Sequence, residues 1–469
     1  MDDHYFGVIR ERIGGFMHDV NIELWKLGVT SKTQHNEAAP AQHEVAPIYE
    51  SANVAVDHNQ LVMETLKRVA GKHGLRCMLH EKPFAGVNGS GKHNNWSITT
   101  DNGVNLLEPG QTPNENIQFL LVLACIMKAV DTHADLLRQS ASNVGNDHRL
   151  GGYEAPPAII SIFLGEQLED VVAQLVETGK ADNLKEGGVL RTGVSTLPDF
   201  VKDATDRNRT SPFAFTGNKF EFRMPGSNAS IAGCNIVLNT VIADEIEKFA
   251  NILEAADDFD TTLHALIKDT IKNHKRIIFN GNGYDDSWVK EAESRGLLNL
   301  KTTPDALPYF KTKENIELFE RQKVLSKEEV QSRYEILMDE YEKQINIEAL
   351  TMLDIAKKDI LPAASKFSKE LTDTITNKKA IGIDLTYELE TAKKVSEYLT
   401  EAYQALITLE KDVEKLHSID DFEKSAFYVR DFIIQDMAAL RKPCDELEVV
   451  TSNEDWPFPT YGKLLFGIL

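Results

Sequence analysis

An α+β architecture that ends in helices is what this chain predicts, and two observations carry the prediction. Residues 1–345 mix amphipathic helical stretches with short strand-like runs and glycine-containing loops. Residues 346–469 are poor in glycine and proline, and their apolar residues step by three and four. The chain is therefore read as a mixed domain, 1–345, followed by a helical extension, 346–469.

The first helix is predicted over Ile9–Leu27, where Ile13, Phe16, Val20, Leu24 and Leu27 recur at helical spacing and Gly28 supplies a stop. A polar stretch, Thr30 to Gln34, leads into His35-Asn36-Glu37, and Glu44 to Glu50 reads as a short strand. Asn59 to His73 is a second helix with Leu61, Met63, Leu66 and Val69 as its apolar residues. Arg76 to His80 reads as a strand, running into a loop from Lys82 to His93 that contains Gly86, Gly89 and Gly91, and Trp96 to Thr99 as another strand. Asn116 to Ser140 is predicted as one long apolar helix. Ala158 to Phe163 and Lys219 to Met224 read as strands, with a polar insertion, Gly179 to Gly193, between them. Ser230 to Leu253 is a helix apolar on one face. Ser326 and Glu329 have capping-box spacing at the head of a later helix. Leu385, Leu389, Ala392, Val395, Leu399, Ala402, Leu406, Leu409, Val413 and Leu416 form a coiled-coil-like seam.

Composition narrows the function. The chain has 469 residues and a formal net charge of -22, with 42% hydrophobic residues. That supports a packed core and argues against broad binding to nucleic acid or an anionic membrane, both of which need a basic surface. The four cysteines form no CxxC pair, as expected of free thiols in a reducing compartment. Met1-Asp2-Asp3-His4 is acidic and no apolar stretch follows it, and no apolar run reaches the roughly 20 residues of a membrane span. A cytoplasmic protein is expected.

The segment richest in chemistry is Lys82-Pro83-Phe84-Ala85-Gly86-Val87-Asn88-Gly89-Ser90-Gly91-Lys92-His93-Asn94-Asn95-Trp96-Ser97. Glycines let a ligand approach the backbone, and a histidine at the loop's edge can coordinate a metal. Three further segments follow a fixed order around it: Asn36 to Glu44, His148 to Pro156, and Phe220-Glu221-Phe222-Arg223. Together they resemble the glutamine synthetases, whose ATP-binding signature is matched at every fixed position by Lys82 to Ser97. The type III branch, with its C-terminal helical addition and an arginine segment like Arg207-Asn208-Arg209-Thr210-Ser211-Pro212, is the most similar. The resemblance covers residues 1 to about 345 well.

The resemblance implies an antiparallel, barrel-like sheet wrapped by helices in residues 1–345, and an ATP-dependent ligase joining ammonium to glutamate through a γ-glutamyl phosphate. It implies Mg²⁺ or Mn²⁺ at two or more sites, Glu37 and Glu44 at one and His93 and Glu221 at the other. Carboxylates and one imidazole suit such hard cations. Arg149, Arg223, Asn88 and Gly89 correspond to glutamate-binding positions, and Asn95, Ser97 and Arg209 to the nucleotide side. Glu154, on a flap, Arg209 and Glu37 correspond to catalytic positions. Tyr5 lies near the family's ammonium-site tyrosine, though packing is the simpler role for a single aromatic. Two departures stand out: Ala214 occupies the place of a second arginine, and Asn95 that of a common histidine.

The family also carries a Glu-x-Glu strand ahead of the first matching helix, with an N-terminal domain that completes a neighbouring subunit's site. Nothing between Met1 and Glu37 offers such a pair, and Glu446 to Val450, which has the local look, reads as an ordinary exposed strand or turn. The expectation is a chain inactive or weakly active alone and restored by the upstream segment, in cis or as a complementing polypeptide. With that segment the family's assembly is a homo-oligomer of dodecameric rings. The alternatives are a ligase for another amine and a non-catalytic relative that binds nucleotide or glutamate.

Overall fold

A computed structural model describes residues 6–152, 155–178, 181, 189–190, 200–201 and 210–467. The chain divides into two compact units, Met1–Gln331 and Ser332–Leu469.

The first unit opens with α1 (Glu11–Lys26), whose buried stripe is Ile13, Met17, Val20 and Leu24. Gly28, at φ 79°, turns the chain out of it, a conformation that costs glycine little. β1 (Ser31–Asn36) follows, where only a polar stretch was predicted, and pairs antiparallel with β2 (His43–Pro47). Cross-strand bonding, not side-chain apolarity, makes β1 a strand. α2 (Ala52–Lys72) begins a turn and more ahead of the predicted Asn59. Val20, Leu24, Val29, Val62 and Val69 form a small core that seats α1 and α2, with Phe16, Val45 and Leu66 packed against it.

Arg76 to His80 is irregular backbone, against the strand prediction; its β-prone side chains find no ladder partner. β3 (Asn94–Trp96) is followed by α3 (Ile117–Thr132) and α4 (Ala134–Ser140). The single predicted helix is thus two, broken at His133 (φ -116°, ψ 33°). The apolar pattern continues on both sides of the break and so could not reveal it. Next come α5 (Val144–Arg149), β4 (Ile162–Phe163), α6 (Glu166–Thr178), β5 (Val189–Leu190), β6 (Phe200–Val201), β7 (Phe213–Phe215) and β8 (Phe220–Phe222). Most of the Gly179–Gly193 insertion lies outside the described residues. α7 (Ala232–Glu254), α8 (Phe259–His274), α9 (Asp286–Ser294), α10 (Thr303–Ala306) and α11 (Lys313–Arg321) complete the unit, and α12 (Lys327–Ile355) spans the boundary between the units. At its head the capping box is made: Glu329 N–H donates to Ser326 Oγ (3.2 Å) and Ser326 N–H to Glu329 Oε2 (2.8 Å).

The main sheet has strand order β3-β8-β7-β4, antiparallel except for the parallel β4–β7 pair. Among the described residues no sheet closes: β1–β2 and β5–β6 are separate pairs. The barrel-like sheet implied by the resemblance is therefore corrected to small open sheets. Strands of two and three residues carry few ladder bonds, too few to tilt and stagger into a closed ring. The sheet's inner face is aromatic. Phe213 stacks on Phe220 at 4.5 Å between ring centroids and meets Phe222 edge-on at 6.2 Å. Phe215 reaches Phe119 of the buried α3 at 5.8 Å.

In the second unit, α13 (Leu361–Ala380), α14 (Thr386–Leu416) and α16 (Ile434–Val450) pack lengthwise, with short α15 (Phe422–Tyr428) and α17 (Tyr461–Phe466). The seam is used within the chain: Val395, Ala402, Leu406, Leu409, Val413 and Leu416 are buried, while Leu389 stays exposed. Glu446 to Val450 is helix, not strand or turn; Leu440, Cys444 and Leu447 bury one face of α16, and that packing overrides the β-propensity of Val449 and Val450. The four cysteines are unpaired. Among the described residues no helix is long and apolar enough to cross a membrane.

Phe213→Ala should destabilise the first unit by about 3–5 kcal/mol, because it opens a cavity at the centre of the aromatic face. A denaturant midpoint that hardly moves would contradict this packing.

Candidate functional site

The site begins on the β1–β2 hairpin. Residues two apart on a strand share a face, so His35 and Glu37 project together, and Glu44 stands directly across the ladder from His35. The ladder continues past β1 through Glu37 N–H to Gln42 C=O at 2.9 Å. The imidazole Nε2 of His35 lies 2.9 Å from Glu37 Oε1 and 3.0 Å from Glu44 Oε2. On the opposite face His43 Nδ1 meets Asn36 Oδ1 at 3.0 Å, which holds the hairpin's register. Glu37 and Glu44 were predicted to act together, and they do meet. His35 was passed over; its spacing of two from Glu37 on a strand was the available signal, hidden while β1 read as polar loop.

The hairpin is tied to the glycine-rich loop by Gln42 Nε2, which donates to Gly89 C=O at 2.8 Å. Beneath that loop lies Arg149 at the end of α5, 3% exposed. Its guanidinium donates to Asn146 Oδ1, Met224 C=O and Arg223 C=O, each at 3.1 Å. A methyl group at Gly91 would come within 2.0 Å of Arg149 Nη2, and one at Gly89 within 2.6 Å of Glu81 C=O. Those glycines are therefore requirements of close approach. Asn88 is buried in the same loop.

Glu81, fully buried, was also passed over. Its C=O accepts from Ser90 N–H at 2.8 Å, and its Oε1 accepts from Asn143 Nδ2 and Asn228 N–H, both at 3.1 Å. Methyl groups at Gly145 or Gly226 would collide with its carboxylate at 2.1 and 2.2 Å. One carboxylate thus joins the loop, the start of α5 and the segment after β8. Its charge partly offsets the burial that pushes the Arg149 guanidinium down to about 10 and the Lys92 ammonium down to about 8.

The third wall is β3 against β8. Asn94 and Trp96 turn inward and bond to α7, Asn94 Nδ2 to Asn235 Oδ1 (3.1 Å) and Trp96 Nε1 to Asn239 Oδ1 (2.9 Å). Alternation leaves His93, Asn95 and Ser97 on the exposed face, with Asn95 paired to Glu221. His93 Nδ1 lies 4.0 Å from Glu221 Oε2. Arg223 clamps the same oxygen, from Nε at 3.0 Å and Nη2 at 2.9 Å. Burial among these neighbours and then the Arg223 guanidinium push the His93 imidazole down to about 4, against the opposite pull of Glu221. Half of its side-chain surface (51%) still meets solvent. A neutral imidazole keeps a lone pair for a cation. Arg149 and Glu44 also act on its charge, more weakly.

Two carboxylates with an imidazole on the hairpin, and a carboxylate with an imidazole on the sheet, fit hard divalent cations. Ala214 is fully buried in β7, across the ladder from Glu221. Glu154, Arg209 and Tyr5 lie outside the described residues.

Residues 3–160 match the family model for the glutamine synthetase catalytic domain, and residues 262–379 that for the glutamine synthetase C-terminal domain. A glutamine synthetase of Butyrivibrio fibrisolvens is 47% identical, aligned over 100% of this chain and 67% of its own length. A type-3 glutamine synthetase of Dictyostelium discoideum is 44% identical over 99% of this chain and 64% of its own. The chain thus spans about two thirds of the length of these relatives. A solved GmaS/ADP complex overlays 72% of this chain and 62% of its own at a TM-score of 0.41 and 18% identity.

Gly91→Ala should lower stability by about 1–3 kcal/mol through overpacking against Arg149. Gly71→Ala, late in α2 with nothing within 4 Å of the added methyl, should raise it by about 0.5–1 kcal/mol. Urea midpoints measured side by side check both signs.

Proposed function

Because the chain belongs to the glutamine synthetase family, we propose that it carries the larger part of an ATP-dependent ligase joining ammonia to L-glutamate. The observation that carries this reading is the meeting of four segments distant in sequence: Gln42 of the hairpin bonds to Gly89 of the loop, Arg149 donates to the Arg223 carbonyl, and Arg223 and His93 both lie at Glu221. Each supplies what the reaction needs. Glutamate and ATP are both anions, and the γ-carboxylate must be activated before nitrogen can attack it. The phosphoryl group passes to that carboxylate: an O–P bond forms, the bond to the β-phosphate oxygen breaks, and ADP leaves. Ammonia then attacks the acyl carbon, a C–N bond forms, and phosphate departs.

In this reading Glu37 and Glu44 hold one divalent cation, and His93 and Glu221 another. Bound Mg²⁺ or Mn²⁺ would neutralise the phosphate and carboxylate charges as they meet. Arg149, Arg223, Asn88 and Gly89 receive glutamate, with Arg149 held rigid by its three protein acceptors. Asn95 and Ser97, on the exposed face of β3, take the nucleotide side together with Arg209, which also steadies the transferred group. Glu154 closes over the acyl phosphate against water and takes the proton from ammonium, whose charge Glu37 helps to neutralise. The setting is cytoplasmic and the assembly a ring-based homo-oligomer. Glu37, Glu44 and Glu221 give two cations three carboxylates between them, fewer than such sites need. Turnover is therefore expected to rise when the remaining third of its relatives' length is supplied.

Calorimetry with ATP and Mn²⁺, followed by a γ-glutamyl hydroxamate assay with and without that portion, tests the reading. Nucleotide binding with no transfer in either case points to a non-catalytic relative, and faster turnover with methylamine than with ammonium to a different amine. Glu221→Gln should weaken metal affinity by about 10- to 100-fold or more, whereas unchanged affinity would remove Glu221 from the second cation site.

A further inference from the structure

We infer that Glu81 is a positioning residue for Arg149: through the amide of Asn143 and the backbone after β8 it fixes both sides of the socket that holds the guanidinium. The inference rests on the proposed function in one respect, that Arg149 receives the carboxylate of glutamate.

Two segments form that socket. On α5, Asn146 Oδ1 accepts from Arg149 Nη1 at 3.1 Å; from the chain leaving β8, the carbonyls of Arg223 and Met224 accept at the same distance. The guanidinium therefore keeps its direction only while α5 and residues 223–228 keep their relative place. Glu81 touches both. Its Oε1 accepts from Asn143 Nδ2, on the residue that caps α5, and from Asn228 N–H, both at 3.1 Å.

The route along α5 runs through one amide. An ionised carboxylate can only accept hydrogen bonds, so Glu81 compels Asn143 to present its nitrogen. Asn143 Nδ2 divides its two hydrogens between Glu81 Oε1 and Asn228 Oδ1, at 3.1 Å each. Asn143 Oδ1 is thereby turned toward the helix and accepts from Asn146 N–H at 2.7 Å, the N-cap bond of α5. Asn146 is fully buried, and its Nδ2 donates to Ala141 C=O at 2.6 Å and Met224 C=O at 2.8 Å. Its Oδ1 is left facing Arg149. Glu81, Asn143, Asn146 and Arg149 are thus one directed chain, in which each group sets the orientation of the next.

Filling space does not account for a carboxylate here. It is wedged between Gly145, in the first turn of α5, and Gly226, where added methyl groups would come within 2.1 and 2.2 Å of its oxygens. Its Oε2 has no hydrogen-bond partner among the described residues, and a buried acceptor in that state costs stability. An apolar side chain of similar volume would avoid this cost. A carboxylate is the better choice where orientation is the requirement, as it is for a guanidinium fork that must meet a substrate carboxylate in its plane. Its negative charge also favours the charged form of Arg149. Glu81 is itself fully buried beneath the loop, so it acts through Arg149 and not on the substrate.

The test is guanidinium NMR of the full chain labelled with ¹³C and ¹⁵N in arginine, with Arg149→Lys identifying the Arg149 signals. In the parent chain Arg149 should give separate, slowly exchanging Nη signals. Glu81→Gln keeps the size but offers Asn143 a donor, and Asn143→Ala cuts the chain at its second member. In each, exchange should be about 10-fold faster or more, the factor for one lost hydrogen bond to a charged group. The double variant should add little to the larger single effect, because both changes break the same chain. L-Glutamate affinity, measured by calorimetry with Mn²⁺, should fall about 10-fold in each single variant while ATP affinity hardly moves. Thermal melting is followed for every variant. Unchanged Arg149 exchange in a folded Glu81→Gln, additive effects in the double variant, or equal losses of glutamate and ATP affinity overturn the positioning role. Should Glu81→Gln fail to fold, Asn143→Ala decides by the same signals. A chain whose Arg149 responds to Glu81→Gln but which binds no glutamate keeps the positioning role and removes Arg149 from the glutamate site of the functional reading.

Discussion

The glycine-rich loop can pass over the Arg149 guanidinium only because nothing projects from Gly89 and Gly91. That approach sets the rest of the site. Arg149 donates to carbonyls of the chain leaving β8 and to Asn146, so it locks the loop, α5 and the sheet into one arrangement. Glu81 works from below in the same way, receiving Asn143 and the Asn228 amide and bonding through its own carbonyl to Ser90. Burying a carboxylate and a guanidinium costs free energy, and hydrogen bonds with nearby opposite charge offset part of it. The return is position. Asn88, His93 and the face carrying Asn95 are held by rigid backbone.

Charge is arranged by the same logic. The chain is acidic overall, yet next to His93 the sheet places Arg223 on Glu221, and Arg149 adds positive charge from α5. Burial first, and then the arginines, hold the imidazole's proton affinity down. The hairpin gathers its carboxylates on one face. The ligase reading proposed above calls for this kind of local inversion in an acidic protein, with cations drawn to carboxylates and arginines placed to receive oxygens.

Legibility followed from how each signal is encoded. The amphipathic faces of α1, α2 and α7 are local periodicities, predicted with small errors at the ends for α1 and α7 but with the first seven residues of α2 missed. β1 was not, because Ser31 to Asn36 is polar and becomes a strand only through pairing with β2. The break at His133 was invisible because apolar residues run through it. Val449 and Val450 look like strand and are helix because α16 packs along α14. His35 was missed for the same reason as β1: without the strand there was no face for it to share with Glu37.

By itself the sequence determined the family, the ordered motifs and the residue types the chemistry needs, since these are properties of identity and spacing along a chain. Tertiary structure alone decided that the sheets among the described residues are small and open, that His35 joins Glu37 and Glu44, and that Glu81 lies beneath the loop with Arg149. Those facts depend on cross-strand register and on contacts between residues some sixty to a hundred and fifty positions apart. No local pattern encodes such contacts, because the energy that selects them comes from packing and pairing between segments that the sequence lists far apart.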